Sequence, residues 1–491
     1  MNKKIIFIGG GLREHIIICL LPIIHGMCVQ KNIEQIIFER ELGPRVKSNF
    51  YYKKLSKNFK IFYLKNMIEE KKSLFNYFLK IILFIFIFLF SFFLKKEQLL
   101  NKKINWILKQ FFHAFWDTGI VNNNSSLENI EFKSRVSTCK QITNKFFEFL
   151  FLKKFNIRSA IIGHSVYSER VIFALLRKNQ IETFLFQKGV LTKQIKNKDR
   201  GFKYLDTDIL KKGYRLVSKK KINNYWKNAL RGKVNYLEAK IASKIKKKDK
   251  RNLKNINVVM LHIFKDSAFE DIDENRLFPN YFTWIVETLK IIKDSKEIWI
   301  LRNHPSANKW GEDQKKIIKK IFKKVFDEKI PKNIYYEENV RSNIDQYKIS
   351  KRIVTFSGNS HLEAACFGIK PIVISDTTLS NLRKSAVFKP FNLKQYKKIL
   401  LNGSKRKFEL SERDKDFSKR IIYFMHNVIN LTHLFGKIHL WRSDPKYMQK
   451  IVLKNAEKGI KKNSKFLFDL GTKSGKVFNQ SISKNYFYKF L

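Results

Sequence analysis

Side chains able to bind an anion are found at a turn in the second half of the chain, LRNHP at residues 301–305. An apolar run ends there and a helix is predicted to follow, so backbone N–H groups and the positive end of a helix dipole favour an anion. Arg302 and His304 add donors, and Pro305 completes a His-Pro turn. The turn predicts a phosphate site, although a His-Pro turn alone is also typical of an ordinary loop.

A second turn of similar chemistry follows an apolar strand at 353–356. The residues that suit a nucleotide here are Ser357, Gly358, Asn359, Ser360 and Glu363. Hydroxyls and free amides suit phosphate oxygens, and Glu363 suits ribose hydroxyls. Alternatively, the serines and Asn359 only cap the next helix and Glu363 complements its dipole. Because both turns lie on strands of one sheet, at the edge where such sheets bind ligands, together they predict a nucleotide site.

The elements that must position these turns alternate regularly between strand and helix. Strands are predicted at 258–263, 298–301, 334–336, 353–356 and 371–374, and helices at 281–292, 313–326 and 362–367. This alternation predicts a Rossmann-like nucleotide-binding domain over 256–392. A lysine-rich linker helix is predicted before it, at 216–255, and a helical C-terminal tail after it, at 393–491.

The first part of the chain repeats the pattern, which predicts a second Rossmann-like domain over 1–215. An apolar strand at 4–8 stops at three glycines and is followed by an apolar helix at 12–21. Further strands are predicted at 36–38, 60–64 and 160–162. The last of these leads into the loop GHSVY at 163–167, where His164 and Tyr167 are candidate contacts for an acceptor substrate.

An apolar stretch from Phe75 to Leu94 interrupts this domain, within a hydrophobic and basic insertion at about 70–117. A helix spanning a membrane would put strands of one sheet on opposite sides of the bilayer. We therefore expect a helix or hairpin that enters one leaflet, followed by a basic, aromatic helix from Lys102 to Trp116 in the interface. The alternative is a buried core helix.

The amino-acid composition of the chain indicates which binding partners and which cellular compartment to expect. The chain of 491 residues has 99 Lys+Arg against 42 Asp+Glu, a formal net charge of +57. Because the lysines are spread over the whole chain, most of the excess indicates amino-acid drift, and no nucleic-acid partner is predicted, whereas an anionic membrane surface is. The four cysteines match no zinc motif and form no CxxC pair, which favours a reducing, cytoplasmic compartment and no metal site. The N-terminus lacks the features of a signal peptide.

Several stretches together resemble a known family. HIFKD at 262–266, FPNYFTWIVETL at 278–289, the RNHP turn, and FSGNSHLEAACFGIKPIVI at 356–374 are similar to bacterial capsule or surface polysaccharide biosynthesis proteins of the Kdo-transferase type, which are GT-B glycosyltransferases. The resemblance covers about 256–376, and more loosely 163–167. It implies two Rossmann-like domains facing a cleft, a CMP-sugar donor, and a polysaccharide or lipid-linked acceptor.

The resemblance also implies roles for residues. His304 would bind the donor phosphate, Ser357 and Ser360 phosphate or cytidine, and Glu363 the ribose. The mechanism expected of such a fold is inverting transfer without metal or cofactor, in which a carboxylate of the first domain deprotonates the acceptor. Glu14 is the first candidate for this base and Asp117 the second. The enzyme is expected on the cytoplasmic face of the membrane, peripherally bound.

Three other functions fit the sequence less well. A CDP-glycerol-type glycerophosphotransferase would share the cytidine nucleotide, but its usual Asp-bearing motif is replaced here by Asn359, Ser360 and then Glu363. An NAD-dependent oxidoreductase is disfavoured because Glu14 occupies the last position of G-x-G-x-x-G, where a carboxylate repels pyrophosphate. A basic RNA-binding or membrane scaffold protein would need aromatic residues interleaved with a clustered basic face.

Overall fold

A computed structural model describes residues 3–71, 73–95, 105–122, 130–163, 166–187, 190–193, 213–230, 254–266, 276–327, 329–338, 341–402, 405–427, 431 and 453–472. Contacts between Cα atoms divide the chain into two units. The first comprises Met1–Gln98, Lys103–Phe202 and Asn427–Phe490, and the second is essentially Lys203–His426. Each unit contains one sheet.

The sheet of the first unit is built from six strands: β1 (Ile5–Gly9), β2 (Gln35–Phe38), β3 (Lys60–Tyr63), β4 (Ile157–Ile162), β5 (Glu182–Gln187) and β6 (Val190–Lys193). Their order is β3-β2-β1-β4-β5-β6, and only β6 runs antiparallel to its neighbour. The chain builds outward from β1 to β3 and then returns to place β4 beside β1. The carboxyl ends of β1 and β4 therefore form the point where the strand order reverses.

Eight helices belong to this part of the first unit: α1 (Glu14–Gln30), α2 (Pro44–Ser48), α3 (Phe50–Asn58), α4 (Leu64–Glu70), α5 (Leu74–Ser91), α6 (Trp106–Asn122), α7 (Phe132–Leu152) and α8 (Glu169–Lys178). Helix α1 is buried along almost its whole length because isoleucine, leucine, methionine and cysteine occupy every side of it. The hydrophobic core that surrounds α1 also includes residues of β1, β2 and β4.

The sheet of the second unit has five parallel strands: β7 (Ile256–Met260), β8 (Trp299–Arg302), β9 (Ile334–Glu337), β10 (Ser350–Thr355) and β11 (Ile372–Val373). Their order is β11-β10-β7-β8-β9. Its helices are α9 (Lys219–Leu230), α10 (Tyr281–Ile292), α11 (Gln314–Phe326), α12 (Asn343–Ile349), α13 (Ser360–Cys366), α14 (Thr378–Leu382), α15 (Leu393–Leu401) and α16 (Glu412–Asn427). Here the strand order reverses between β7 and β10.

The predicted fold class, two Rossmann-like α/β domains with a hydrophobic insertion in the first, is confirmed. One boundary differs in a way that matters for the site. The first strand of the second sheet was predicted to run to residue 263, but β7 ends at Met260. His262 therefore lies in a loop at the sheet edge instead of inside a strand.

The described part of the predicted linker belongs to the second unit, and the predicted tail is divided between the two units. In the linker, α9 packs within the second unit, where Trp226 lies 5.5 Å from Phe367 between ring centroids, while 231–253 fall outside the described residues. The predicted tail is divided. Helices α15 and α16 belong to the second unit, whereas α17 (Leu453–Thr472) packs on α1. The close contact between these two helices is possible because Gly26 and Gly471 meet without side chains.

The hydrophobic insertion contains two helices of opposite character. Helix α5 is the one described helix long and apolar enough to cross a membrane, and 6% of it is buried. The structure therefore excludes the alternative of a buried core helix for α5. The interfacial helix predicted from Lys102 to Trp116 is different in the structure, because α6 begins at Trp106 and its residues from Phe112 to Ile120 are buried.

Candidate active site

Three loops of the second unit meet at the carboxyl edge of its sheet. They follow β7 at 261–266, β8 at 303–306 and β10 at 356–359. Because β7 pairs with β8 on one side and with β10 on the other, the three loops are neighbours. The two turns singled out in the sequence therefore flank the loop that carries His262.

The loops after β7 and β8 are joined by the side chain of Gln314, at the start of α11. Its Oε1 accepts a hydrogen bond of 2.7 Å from the backbone N–H of His304, and its Nε2 donates one of 2.6 Å to the carbonyl of His262. Gln314 is 2% exposed. A buried side chain that bonds both loops holds them in one geometry, which is what a preorganised binding site needs.

Glu312 holds the loop after β7 through hydrogen bonds to its backbone. Its carboxylate accepts hydrogen bonds of 3.0 Å from the backbone N–H groups of Phe264 and Lys265, and its Oε1 accepts another from Nε2 of Gln314. Burial raises the pKa of Glu312 above its ordinary value. Sequence reasoning missed both side chains. The available signal was two polar residues with hydrogen-bonding side chains just before and at the start of the helix that follows the RNHP turn.

His304 is partly exposed, and its ring orientation is set locally. Its Nδ1 lies 3.2 Å from the backbone nitrogen of Ser306, which donates to it. Since Nδ1 accepts, the proton of a neutral ring is on Nε2, and this atom is a donor. Pro305, next in the turn, is also partly exposed. The turn thus presents one oriented ring donor.

Arg302 is placed differently from the other residues of this turn. It is 1% exposed, and its guanidinium donates to Oε1 of Gln346 at 3.1 Å and to the carbonyl of Arg341 at 2.7 Å. Burial lowers its pKa. These contacts tie the end of β8 to the start of α12, so they support the turn from inside the unit.

The serine turn after β10 rests on His262. The Nε2 of His262 lies 3.1 Å from Oγ1 of Thr355, and its ring stacks on Tyr281 with centroids 4.6 Å apart. A Cβ on Gly358 would lie 2.9 Å from the His262 ring, so only glycine lets the turn approach it this closely. Ser357 is buried beside this ring.

Asn359, Ser360 and Glu363 complete the second turn, and all three are partly exposed. The Glu363 Oε2 atom accepts hydrogen bonds from the hydroxyl of Tyr347 at 2.7 Å and from Nδ2 of Asn343 at 3.2 Å. Burial, and then the neighbouring Glu363 carboxylate, raise the pKa of Tyr347, so this hydroxyl keeps its proton as a donor. The carboxylate of Glu363 is therefore held at a fixed place beside the serine turn.

The candidate residues of the first unit lie in separate places. Glu14 is exposed at the start of α1, where its Oε1 accepts a hydrogen bond of 2.7 Å from the backbone N–H of Gly43. Asp117 is 1% exposed inside α6. Tyr167 is partly exposed and has a left-handed backbone with φ of 52°. His164 lies outside the described residues. The roles of these four residues remain predictions.

A charged cluster that the sequence did not reveal lies at the carboxyl edge of the first sheet. Lys145 of α7 forms ion pairs with three carboxylates: Glu39, which follows β2, Glu148 of α7 at 3.1 Å, and Glu169 at the start of α8 at 2.9 Å. Glu39 also accepts a hydrogen bond of 3.3 Å from the backbone N–H of Gly11, in the glycine turn after β1. The cluster thus joins α7 and α8 to the loops that follow β1 and β2.

When all three carboxylates are ionised, the cluster has three negative charges and one positive charge in a largely buried space. Burial by itself lowers the pKa of Lys145, but the three carboxylates raise it above its ordinary value, so it stays charged. Burial and the neighbouring Glu39 raise the pKa of Glu169 to about 7. The Oε2 atom of Glu169 is buried and has no hydrogen-bond partner among the described residues. Within the same residues, no His, Cys, Asp and Glu side chains are grouped as metal ligands.

Comparison with known proteins gives similarities in structure only. No protein-family model and no curated protein matches the sequence. Among solved structures, the chain is similar to KpsC of Thermosulfurimonas dismutans, a beta Kdo 2,4 transferase, with 10% identity over 54% of this chain and 79% of that one, and a TM-score of 0.32. It is also similar to the UDP-GlcNAc 2-epimerase of Methanocaldococcus jannaschii, with 14% identity, 86% and 99% covered, and a TM-score of 0.30. Anabaena HepE, solved with UDP-glucose, has 10% identity, 88% and 96% covered, and a TM-score of 0.30.

Glu169→Gln is expected to stabilise the protein at pH 8 and to have little effect at pH 5. Because the pKa of Glu169 is about 7 in the folded state and 4.5 as its ordinary value, the folded protein binds this proton more tightly. Its contribution to stability therefore falls as pH rises from about 4.5 to 7. Glutamine resembles the protonated acid, so the gain at pH 8 is up to about 3 kcal/mol. Urea unfolding of both proteins at the two pH values measures it, and an equal effect at both would contradict the raised pKa.

Proposed function

We propose that this protein is a glycosyltransferase that takes its sugar from a nucleotide-activated donor bound at the carboxyl edge of the second sheet. The observation that carries the proposal is the set of three neighbouring loops joined by Gln314, with His304 on one side and the serine turn on the other. Ligands of open α/β sheets bind at this edge, where the strand order reverses.

Different side chains of these loops contact different parts of the nucleotide. The Nε2–H of His304 donates to a phosphate oxygen, and the hydroxyls of Ser357 and Ser360 donate to phosphate or contact the base. Gly358 and Asn359 offer backbone N–H groups at the same turn. The carboxylate of Glu363 accepts from ribose hydroxyls, as its hydrogen bonds to Tyr347 and Asn343 orient it. Arg302 contributes by positioning the loop through Arg341 and Gln346.

The reaction proposed is inverting transfer without a metal ion. The bond between the anomeric carbon and the nucleotide phosphate breaks as the acceptor oxygen forms the new bond. The acceptor proton goes to a carboxylate of the first unit, for which Glu14 and Asp117 are the candidates, while the developing charge on the departing phosphate is stabilised by the His304 donor. His164 and Tyr167 are proposed as acceptor contacts.

The finer assignment is a CMP-linked donor and a surface polysaccharide or lipid-linked acceptor at the cytoplasmic face of the membrane. It is supported by the similarity of residues 256–376 to Kdo-transferase-type proteins. Sugar, linkage and acceptor would be identified by mass spectrometry of the product after incubation with a panel of CMP- and UDP-sugars and CDP-glycerol.

Nucleotide binding tests the site directly. CMP is expected to bind the wild-type protein, and His304→Ala and Glu363→Ala are each expected to weaken binding about 10-fold or more, because each removes a hydrogen bond with a charged group. Calorimetric titration with CMP, UMP, UDP and NAD measures this, with Glu287→Ala, on the surface of α10, as the matched carboxylate control. If both site variants bound CMP as tightly as the wild type, the proposed site would be wrong, and tight binding of NAD in place of CMP would favour an oxidoreductase.

A further inference from the structure

Helix α5 presents a continuous apolar face to solvent. Among its side chains and the two residues after it, the most exposed are Leu74, Phe75, Tyr77, Phe78, Phe86, Leu89 and Phe93, each between 57% and 90% exposed. Monomeric soluble proteins rarely expose a contiguous apolar surface of this kind, and large exposed apolar patches mark interaction sites. The face continues onto the start of α7, where Phe132 is 65% exposed.

The opposite side of α5 lies antiparallel along α7. Near the beginning of α5, the Lys71 amino group is 5.9 Å from the ring centroid of Phe151, and Lys80 is 6.0 Å from that of Phe147. Towards its end, the Sγ of Cys139 contacts the carbonyl of Ile87 at 4.0 Å. The two helices are thus in contact over nearly the full length of α5.

The end of α5 is fastened by a charged hydrogen bond. Arg135 donates to the carbonyl of Ser91 at 2.6 Å and to its hydroxyl at 3.1 Å, and its guanidinium lies 4.6 Å from the ring centroid of Phe92. Ser91 is 1% exposed. Helix α7 in turn is bound to the sheet of the same unit through the ion pair of Lys145 with Glu39. Because α5 is held along its length against α7, it cannot cross a bilayer while the rest of the unit stays on one side. Its exposed face must therefore lie parallel to the surface that it contacts.

Charge distinguishes between the two occupants that an apolar face could have, a lipid surface and a second copy of this chain. Lysines border the exposed face at both ends, at Lys71 and Lys95, and Lys133 is exposed beside Phe132. A formal net charge of +57 opposes the pairing of two copies and complements anionic headgroups, each nearby lysine contributing about 1 kcal/mol. Aromatic side chains with flanking lysines are typical of helices that lie in the membrane interface.

We propose that α5 lies in the plane of an anionic bilayer leaflet, with its phenylalanine face among the acyl chains and its α7 face towards the protein. Both ends of the helix then remain on the same side of the membrane. This docking goes beyond the transfer reaction and does not depend on it, because the contacting residues lie outside both candidate turns.

Sedimentation with vesicles tests the docking on the full chain. Wild-type protein is expected to sediment with vesicles of phosphatidylglycerol and phosphatidylethanolamine, and much less with phosphatidylcholine alone. The double variant Phe78→Glu/Phe86→Glu is expected to lose at least about 10-fold in partitioning, because each carboxylate would have to enter the apolar region. Phe50→Glu, at a phenylalanine of the same unit that is 70% exposed, is the matched control and should bind like the wild type.

Three results would overturn the proposal. Wild-type protein that does not bind anionic vesicles, or a double variant that binds like the wild type, would show that this face does not contact lipid. A vesicle-free dimer that the double variant abolishes would show that the face is an interface between copies. Far-UV circular dichroism and CMP binding of the double variant should match the wild type, which separates loss of docking from loss of fold or of the nucleotide site.

The orientation of the helix is tested by cysteine labelling. The four native cysteines are buried, so Lys71→Cys and Lys95→Cys provide single accessible thiols at the two ends of α5. On vesicle-bound protein, an impermeant maleimide added from outside is expected to label both variants equally. Protection of only one of them until the vesicles are permeabilised would indicate a spanning helix and contradict the in-plane orientation.

Discussion

Replacing His304 with asparagine is expected to lower the rate of sugar transfer by about 10²–10³-fold, the loss typical of removing one donor to the developing charge of a transition state. The reason is that the two nitrogens of the His304 ring have different roles. Nδ1 accepts from the backbone N–H of Ser306, which leaves Nε2 as the donor. The short amide of asparagine can replace the acceptor at Nδ1, but it does not reach the position of Nε2.

Glutamine at the same position is the informative partner variant. Its longer side chain can place an amide N–H near the position of Nε2, so His304→Gln is expected to retain more activity than His304→Asn. Single-turnover rates with a saturating CMP-sugar measure both. A smaller loss in His304→Asn than in His304→Gln would contradict this role, because it would indicate that His304 acts only by shaping the turn through Nδ1.

Replacing Lys145 with alanine is expected to cost about 3–5 kcal/mol in the free energy of unfolding, the range observed when one partner of a buried ion pair is removed. Lys145 is the common partner of Glu39, Glu148 and Glu169, and its side chain is 12% exposed. Without it, three carboxylates would repel one another in a buried space. Urea unfolding at pH 8, followed by far-UV circular dichroism, measures the loss.

Two further variants separate this electrostatic effect from the loss of packing. Lys140→Ala removes an exposed lysine from the same helix, so it should change stability by less than about 0.5 kcal/mol. Adding Glu169→Gln to Lys145→Ala should recover part of the loss, because it removes one of the repelling charges. If the double variant were no more stable than Lys145→Ala, repulsion among the carboxylates would not be the cause.

The charged cluster of the first unit and the two candidate turns of the second unit occupy equivalent places in two similar sheets, yet their chemistry differs. In the second unit, the loops are joined mainly by hydrogen bonds of Gln314 and Glu312, and partly exposed side chains are held at fixed positions. In the first unit, the corresponding edge is joined by ion pairs around Lys145. The hydrogen-bonded edge is suited to a charged ligand, whereas the ion-paired edge stabilises the junction of α7, α8 and the sheet.

The sequence by itself determined the two Rossmann-like units and the turns at residues 301–305 and 356–360. Both follow from local information. Apolar runs of strand length end abruptly at polar residues, and the carboxyl ends of parallel strands must share one edge. The hydrophobic insertion was also identifiable from local information, because its apolar composition is visible in the sequence.

Only the tertiary structure decided which side chains support these turns and which faces are exposed. Gln314 and the Lys145 cluster became visible only when distant segments met, since Lys145 is 106 residues from Glu39. Likewise, α5 and α6 are both apolar, but α5 is exposed and α6 is buried. The physical reason is that burial and ion pairing are properties of contacts between segments, and apolar composition is the same for a residue facing a core and one facing a membrane.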